Sequence, residues 1–89
     1  MKTYEIIIEN EDTEARKTVR TFNKLDVAID CYGHTLANIG KVARVTIDGE
    51  EVNHFWLYLY ENDSRFEVPR LLGCEVFNKT TPLWEVEMF

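Results

Sequence analysis

The side chains of this 89-residue sequence that come nearest to catalytic chemistry are its histidines and cysteines. Imidazole titrates near neutral pH, and a thiolate is a strong nucleophile. Cys31 and His34 stand three positions apart, so a helix would bring their side chains close together. A nucleophilic site also requires an orienting acid and an oxyanion-stabilising element, and we find neither beside this pair. We therefore expect a core cysteine beside a surface or capping histidine, and no enzyme. The pair still raises one hypothesis, a small enzyme or ligand binder that uses Cys31 and His34.

Candidates for cofactor chemistry are equally sparse. Cys31 and Cys74 are far apart and form no CxxC pair, and with His34 and His54 they make a poor zinc site. The glycines are scattered, so no glycine-rich loop is available to hold a phosphate. The sequence predicts two free buried thiols, and no metal or other cofactor.

Acidic residues dominate the charge. Sixteen Asp and Glu stand against ten Lys and Arg, which gives a formal net charge of -6. A nucleic-acid-binding protein normally needs a basic face, so this balance argues against direct contact with DNA or RNA, and it also disfavours anionic membranes. No stretch approaches the roughly 18 apolar residues of a spanning helix. Because Glu5 stands where a signal peptide would carry its apolar core, we expect a cytoplasmic protein.

The elements that must position these side chains can be read from periodicity. Tyr4, Ile6 and Ile8 alternate with Glu5 and Glu9, which is typical of a strand with one face on a core. A polar loop at 10–14 and a charged edge strand at 15–22 follow, with basic residues that discourage aggregation. Apolar residues then recur at three- and four-residue steps and predict one amphipathic helix that ends at Gly40 and could kink at Gly33. Its stripe comprises Leu25, Ala28, Ile29, Tyr32, Leu36 and Ile39.

The second half of the chain contains the strongest local signal. Asp48-Gly49 predicts a type I′ hairpin turn that pairs Ile47 with Glu50 and Val45 with Val52. Residues 55–60 predict a central strand, closed by a turn at 61–64. Further strands are expected at 65–68, 74–77 and 84–88, with a crossing loop at 70–73. The whole chain, 1–89, is predicted to be a single α+β domain: a curved antiparallel β-sheet with one amphipathic helix packed on one face, in the order β-β-α-β-β-β-β.

The predicted central strand carries Trp56, Tyr58 and Tyr60 on one face and Phe55, Leu57 and Leu59 on the other. Three arrangements would accommodate two apolar faces. The strand is sandwiched, or a bulge near residues 53–54 switches its faces, or the aromatic stripe is exposed for use.

Carboxylates flank this strand in the sequence, and residues 45–64 contain no Lys or Arg. The acidic loops would serve solubility alone, or they would face a basic protein groove together with the aromatic stripe. On the second interpretation the candidate partner-binding residues are Glu9, Glu11, Asp12, Glu14, Asp48, Glu50, Glu51, Trp56, Tyr58, Tyr60, Glu61 and Asp63.

Our leading hypothesis is a non-enzymatic binding protein that inhibits or regulates a larger protein with a basic surface, such as a host nuclease complex. In size, acidity and single-domain α+β build the chain resembles the small inhibitors that phages and mobile elements make against host nucleases, including anti-CRISPR and anti-restriction proteins. An acidic protein of this kind occupies a nucleic-acid channel by imitating phosphates. The alternative is a structural or self-associating domain that forms a homodimer through its aromatic strand.

Overall fold

The computed structural model of the protein describes residues 1–39 and 45–78. One helix packs against an antiparallel sheet, and a small two-stranded sheet stands beside it, so the predicted α+β class and element order are confirmed. The predicted strand at 84–88 and the predicted helix cap at Gly40 lie outside the described residues. The elements are β1 (Lys2–Asn10), β2 (Arg16–Phe22), α1 (Leu25–Ile39), β3 (Thr46–Ile47), β4 (Glu50–Glu51), β5 (His54–Asp63) and β6 (Arg70–Asn78).

The main sheet has the strand order β2-β1-β5-β6, and every neighbouring pair is antiparallel. β5 lies between β1 and β6, which confirms the prediction of a central strand. Its ten residues alternate without exception between half-buried and buried. Ile6 of β1 lies opposite Leu59, and Ile8 lies opposite Leu57, so the apolar residues of both strands share one face of the sheet.

The core lies between that face and α1. Ile6, Phe55 and Leu57 are fully buried, and α1 contributes Ala28 and Tyr32. The Tyr32 hydroxyl donates a hydrogen bond of 2.8 Å to the Leu57 carbonyl oxygen. This bond ties the middle of the helix to the middle of the central strand.

The helix differs from prediction in two respects. It runs through Gly33 without a break, and two residues of its predicted core stripe are exposed: Leu25 at 41% and Ile29 at 54%. The reason is the position of α1, which packs mainly on β1, β2 and β5. Its flank toward β6 is therefore covered only in part, where Tyr32 packs against Gly73.

The predicted hairpin is confirmed. Asp48 and Gly49 have φ angles of 53° and 81°, Ile47 pairs with Glu50, and the Val52 amide donates to the Val45 carbonyl at 2.8 Å. β3 and β4 form their own two-stranded sheet, and the chain leaves strand geometry before β5 begins.

This interruption lets Val52 join the same core as Phe55, although a continuous strand would put them on opposite faces. Of the three arrangements considered for the aromatic strand, the structure therefore shows a switch of faces near residues 53–54.

Three boundaries after residue 60 were predicted wrongly. β5 continues to Asp63 because residues 61–63 pair with the start of β1, although their side chains are typical of turns. The chain reverses at 64–69, where a strand was expected, and Val68 there is 73% exposed. The predicted loop at 70–73 is the first part of β6, paired with Glu61 through Leu59.

Candidate functional site

Three aromatic rings form a row on the sheet face that points away from α1. Trp56, Tyr58 and Tyr60 occupy alternate positions of β5, and all three are half-buried. The ring centroids of Trp56 and Tyr58 are 6.1 Å apart with an interplanar angle of 7°, and those of Tyr58 and Tyr60 are 5.4 Å apart. We call this row, with Glu5 and Glu9 opposite it on β1, the aromatic face.

Polar contacts fix the rings in place. The Tyr58 hydroxyl donates to Glu9 Oε2 at 3.1 Å, and Arg16 Nε of β2 lies 2.6 Å from Glu9 Oε1. Burial, and secondly the hydrogen bond to Glu9, raise the pKa of Tyr58. The Arg16 guanidinium carbon lies 5.7 Å from the ring centroids of both Tyr58 and Tyr60, a cation–π distance. Both Glu9 oxygens are therefore partnered inside the protein, and Arg16 covers part of the row.

The elements described around the sheet pack on its other side. The buried residues of α1 and of the β3–β4 hairpin belong to the same core as Phe55 and Leu57, which lie on the opposite face of β5 from Tyr58. Within residues 1–39 and 45–78, the aromatic face thus has only its own neighbouring side chains over it.

Two acidic loops lie near the start of β5, which is one end of this face. The β1–β2 loop is closed by Asn10, whose Oδ1 accepts the Asp12 amide at 2.8 Å, and the Glu11 amide donates to the His54 carbonyl at 3.0 Å. Glu51 of the hairpin precedes His54 by three residues, a span of at most about 10 Å. The β1–β2 loop is therefore bonded to the start of β5, near Trp56, and the hairpin is joined to the same end of β5 from the core side of the sheet. The exposed carboxylates of this acidic end are Glu11, Asp12, Glu14, Asp48, Glu50 and Glu51.

Glu61 and Asp63, which we had placed with this surface, lie on the other face of β5. They are 5% and 7% exposed. Asp63 accepts the Arg65 amide at 3.0 Å and its guanidinium at 2.8 Å, and these bonds hold the pKa of Asp63 well below its usual range. The alternation of β5 extends to residue 63, so odd-numbered residues continue the core side. The two carboxylates are therefore left out of the proposed surface.

Arg16 is the residue of the aromatic face that sequence reasoning missed. The sequence places it in a basic cluster on an edge strand, which favours protection against aggregation over contact with phosphates. The available signal was the hairpin formed by β1 and β2, whose connecting loop places Arg16 directly opposite Glu9. A salt bridge across that pair would have predicted a cation beside the rings.

Cys31 packs against the edge of the core, whereas His34 lies on the exposed surface of α1. His34 Nε2 is 3.6 Å from Asp30 Oδ2, with side-chain exposures of 72% and 78%, and Cys31 is half-buried. A carboxylate thus accompanies His34, which we had not anticipated, but the distance exceeds that of a hydrogen bond and the pair faces water. In the part of the chain that the structure describes, no group of three His, Cys, Asp or Glu side chains is arranged to hold a metal ion.

The described helix, α1, is neither long nor apolar enough to cross a membrane. Comparison with known proteins finds no family model, no curated protein and no solved structure that matches the chain.

Proposed function

We propose that this chain is a non-enzymatic binding protein that inhibits or regulates a larger protein by presenting its aromatic face and its acidic end. The observation that carries the proposal is the position of Trp56, the first ring of the row, close to His54, to which the exposed acidic β1–β2 loop is bonded. The partner surface would be basic, with a groove or flat patch that accepts aromatic side chains.

The two parts of the surface would act at different stages of association. Exposed carboxylates steer a basic partner through long-range attraction and raise the rate of encounter. Trp and Tyr residues then supply most of the binding energy, because they bury a large area with few rotatable bonds. The hydrogen bond from Tyr58 to Glu9 holds that ring in one arrangement before binding, which lowers the entropic cost.

A nucleic-acid-processing enzyme, such as a host nuclease complex, is the partner class that this surface fits best. Such an enzyme binds phosphates in a basic channel, and a row of carboxylates on two loops would compete for that channel. The resemblance in build to anti-CRISPR and anti-restriction proteins agrees with this role, and we propose that the protein acts in the cytoplasm.

The test is affinity capture from the cells that produce the protein, with partners identified by mass spectrometry at low and high salt. The double variant Glu50→Lys with Glu51→Lys and the variant Trp56→Ala should each lose the partner, and high salt should weaken capture. The controls, Glu67→Lys and Phe66→Ala, change an acidic and an aromatic residue in the exposed turn after β5 and should keep the partner. Equal capture by all four variants would contradict the proposal.

The alternative, a homodimer through the aromatic face, rests on the same row of half-buried rings. Light scattering distinguishes it without knowledge of a partner. A dimer mass that Trp56→Ala reduces to that of a monomer would favour the alternative, whereas a monomer at all accessible concentrations would exclude it.

A further inference from the structure

A groove runs between α1 and β6 on the side of the sheet opposite the aromatic face. Its volume is about 450 Å³, and its walls are largely apolar, with Leu25 and Ile29 from the helix and Leu72 from β6. These side chains are 41%, 54% and 39% exposed. The groove exists because α1 packs on the other three strands of the sheet.

The floor of the groove is fixed by Gly73. A Cβ atom at this position would lie 3.1 Å from Cε2 of Tyr32, so the absence of a side chain lets the Tyr32 ring approach the β6 backbone. The Tyr32 hydroxyl is already committed to the Leu57 carbonyl. The floor therefore offers apolar surface and no free donor.

One carboxylate lies in this apolar surrounding. The Glu61 side chain is 7% exposed and lines the groove, and its Oε1 atom is buried without a hydrogen-bond partner. Arg70 Nη1 lies 3.9 Å from Oε1, close enough for an ion pair but too far for a hydrogen bond. A buried carboxylate oxygen without a hydrogen-bond donor destabilises the protein. A ligand that brings a donor to this oxygen removes that unfavourable free energy when it binds.

We propose that this groove binds a lysine side chain of a protein partner. Lysine combines an apolar stem of four methylene groups, which matches the Leu25, Ile29 and Leu72 walls, with a compact cation at its end. The ammonium needs a single acceptor, and Glu61 has one free oxygen. A guanidinium would require two oxygens for its paired geometry, and Oε1 is the one Glu61 oxygen that is buried without a hydrogen-bond partner. A purely apolar side chain would bring no donor to Oε1.

This site is independent of the proposed function, because the groove and the aromatic face lie on opposite sides of the sheet. The lysine contact would be a second point of attachment, or a contact to a second protein. Its test uses variants and probes that leave Trp56 and the acidic end unchanged, so either proposal can fail alone.

The experiment is an NMR titration of the ¹⁵N-labelled protein with Nα-acetyl-lysine N-methylamide. The matched probe is the norleucine analogue, which has the same stem and lacks the ammonium. We expect saturable shifts at the amides of Leu25, Ile29 and Gly73 with the lysine probe, and roughly tenfold weaker binding of the norleucine probe, the ratio that one charge-assisted hydrogen bond provides. No saturation by about 100 mM lysine probe, or equal binding of the two probes, would overturn the assignment.

Variants identify the carboxylate. Glu61→Gln keeps the shape of the side chain and should abolish the preference for lysine, whereas Glu67→Gln in the exposed turn should retain it. Arg70→Gln removes the cation nearest to Glu61 and should tighten binding of the lysine probe several-fold. Weaker binding in Arg70→Gln, or unchanged preference in Glu61→Gln, would contradict the geometry. If n-butylammonium binds as tightly as the lysine probe, the site serves free amines and the assignment to a protein side chain is wrong.

Discussion

Replacing Tyr32 with Phe tests the hydrogen bond that links α1 to the central strand. The ring stays, so the apolar packing on Gly73 is kept, and only the hydroxyl that donates to Leu57 at 2.8 Å is lost. Tyr32 is 9% exposed, so water does not easily replace the donor. A buried hydrogen bond of this kind is worth about 1.5 kcal/mol, which for a domain of this size lowers Tm by roughly 6–12 °C.

The same variant makes a prediction about alkaline pH. Burial raises the pKa of Tyr32 above its ordinary value of 10.0, with smaller contributions from the nearby Glu75 and Cys74. A raised pKa means that the folded state holds a proton which the unfolded state releases above pH 10. The stabilisation by Tyr32 is therefore complete below pH 10 and is lost as pH rises beyond it, by about 1.4 kcal/mol per pH unit. The stability difference between the natural protein and Tyr32→Phe should nearly vanish by about pH 11.

Urea unfolding followed by circular dichroism at pH 8 and at pH 11 measures both effects. The control is Tyr60→Phe, which removes a hydroxyl from a half-buried ring on the aromatic face and should change stability by less than about 0.5 kcal/mol. Equal losses in Tyr32→Phe and Tyr60→Phe at pH 8 would refute the reasoning, as would a difference between the natural protein and Tyr32→Phe that stays constant from pH 8 to pH 11.

Three further outcomes are expected. Asp63→Asn should lower stability at pH 7, and the difference from the natural protein should shrink as pH falls below about 4. The reason is that the lowered pKa of Asp63 stabilises the fold only where the carboxyl group of the unfolded chain is ionised. Acid unfolding of both proteins, followed by circular dichroism, measures the difference. Gly33→Ala should stabilise the helix by about 0.5–1 kcal/mol, whereas Gly49→Ala, at φ 81°, should destabilise the protein by about 1 kcal/mol. The midpoints of urea unfolding measure both changes, and a shift of both midpoints in the same direction would contradict the turn geometry. Arg16→Gln should change the free energy of unfolding by less than about 1 kcal/mol. It should also strengthen capture of a basic partner, because Arg16 no longer competes with the partner for Glu9 and the rings. Weaker capture would contradict the proposal that Arg16 competes with the partner.

Much of the fold could be predicted from local pattern. The hairpin at Asp48-Gly49 follows from backbone angles that few residues adopt, and the alternation in β1 and β5 follows from two-residue periodicity. The boundaries after residue 60 could not be predicted in this way. Residues 61–63 are polar and typical of turns, yet the register with β1 supplies their backbone partners and extends the strand.

Some features of the candidate site likewise follow from local sequence pattern, and others do not. That Trp56, Tyr58 and Tyr60 share a face is a property of any strand. Which carboxylates accompany them depended on the interruption between β4 and β5 and on the length of β5, which turned Glu61 and Asp63 to the core side. The placement of Arg16 over Tyr58 depended on pairing between β1 and β2, a contact between separate segments of the chain.

The sequence by itself determined the α+β class, the order of elements, the acidic character and the row of rings, because these follow from residue type and from spacing within one segment. Only the tertiary structure decided that the acidic β1–β2 loop is bonded to the start of β5 near Trp56, that Arg16 covers part of the row, and that an apolar groove is lined by Glu61, whose Oε1 atom has no hydrogen-bond partner. The physical reason is that strand register and helix position are set by packing between distant segments. That packing reduces exposed apolar area over the whole domain, so it cannot be predicted from any single segment.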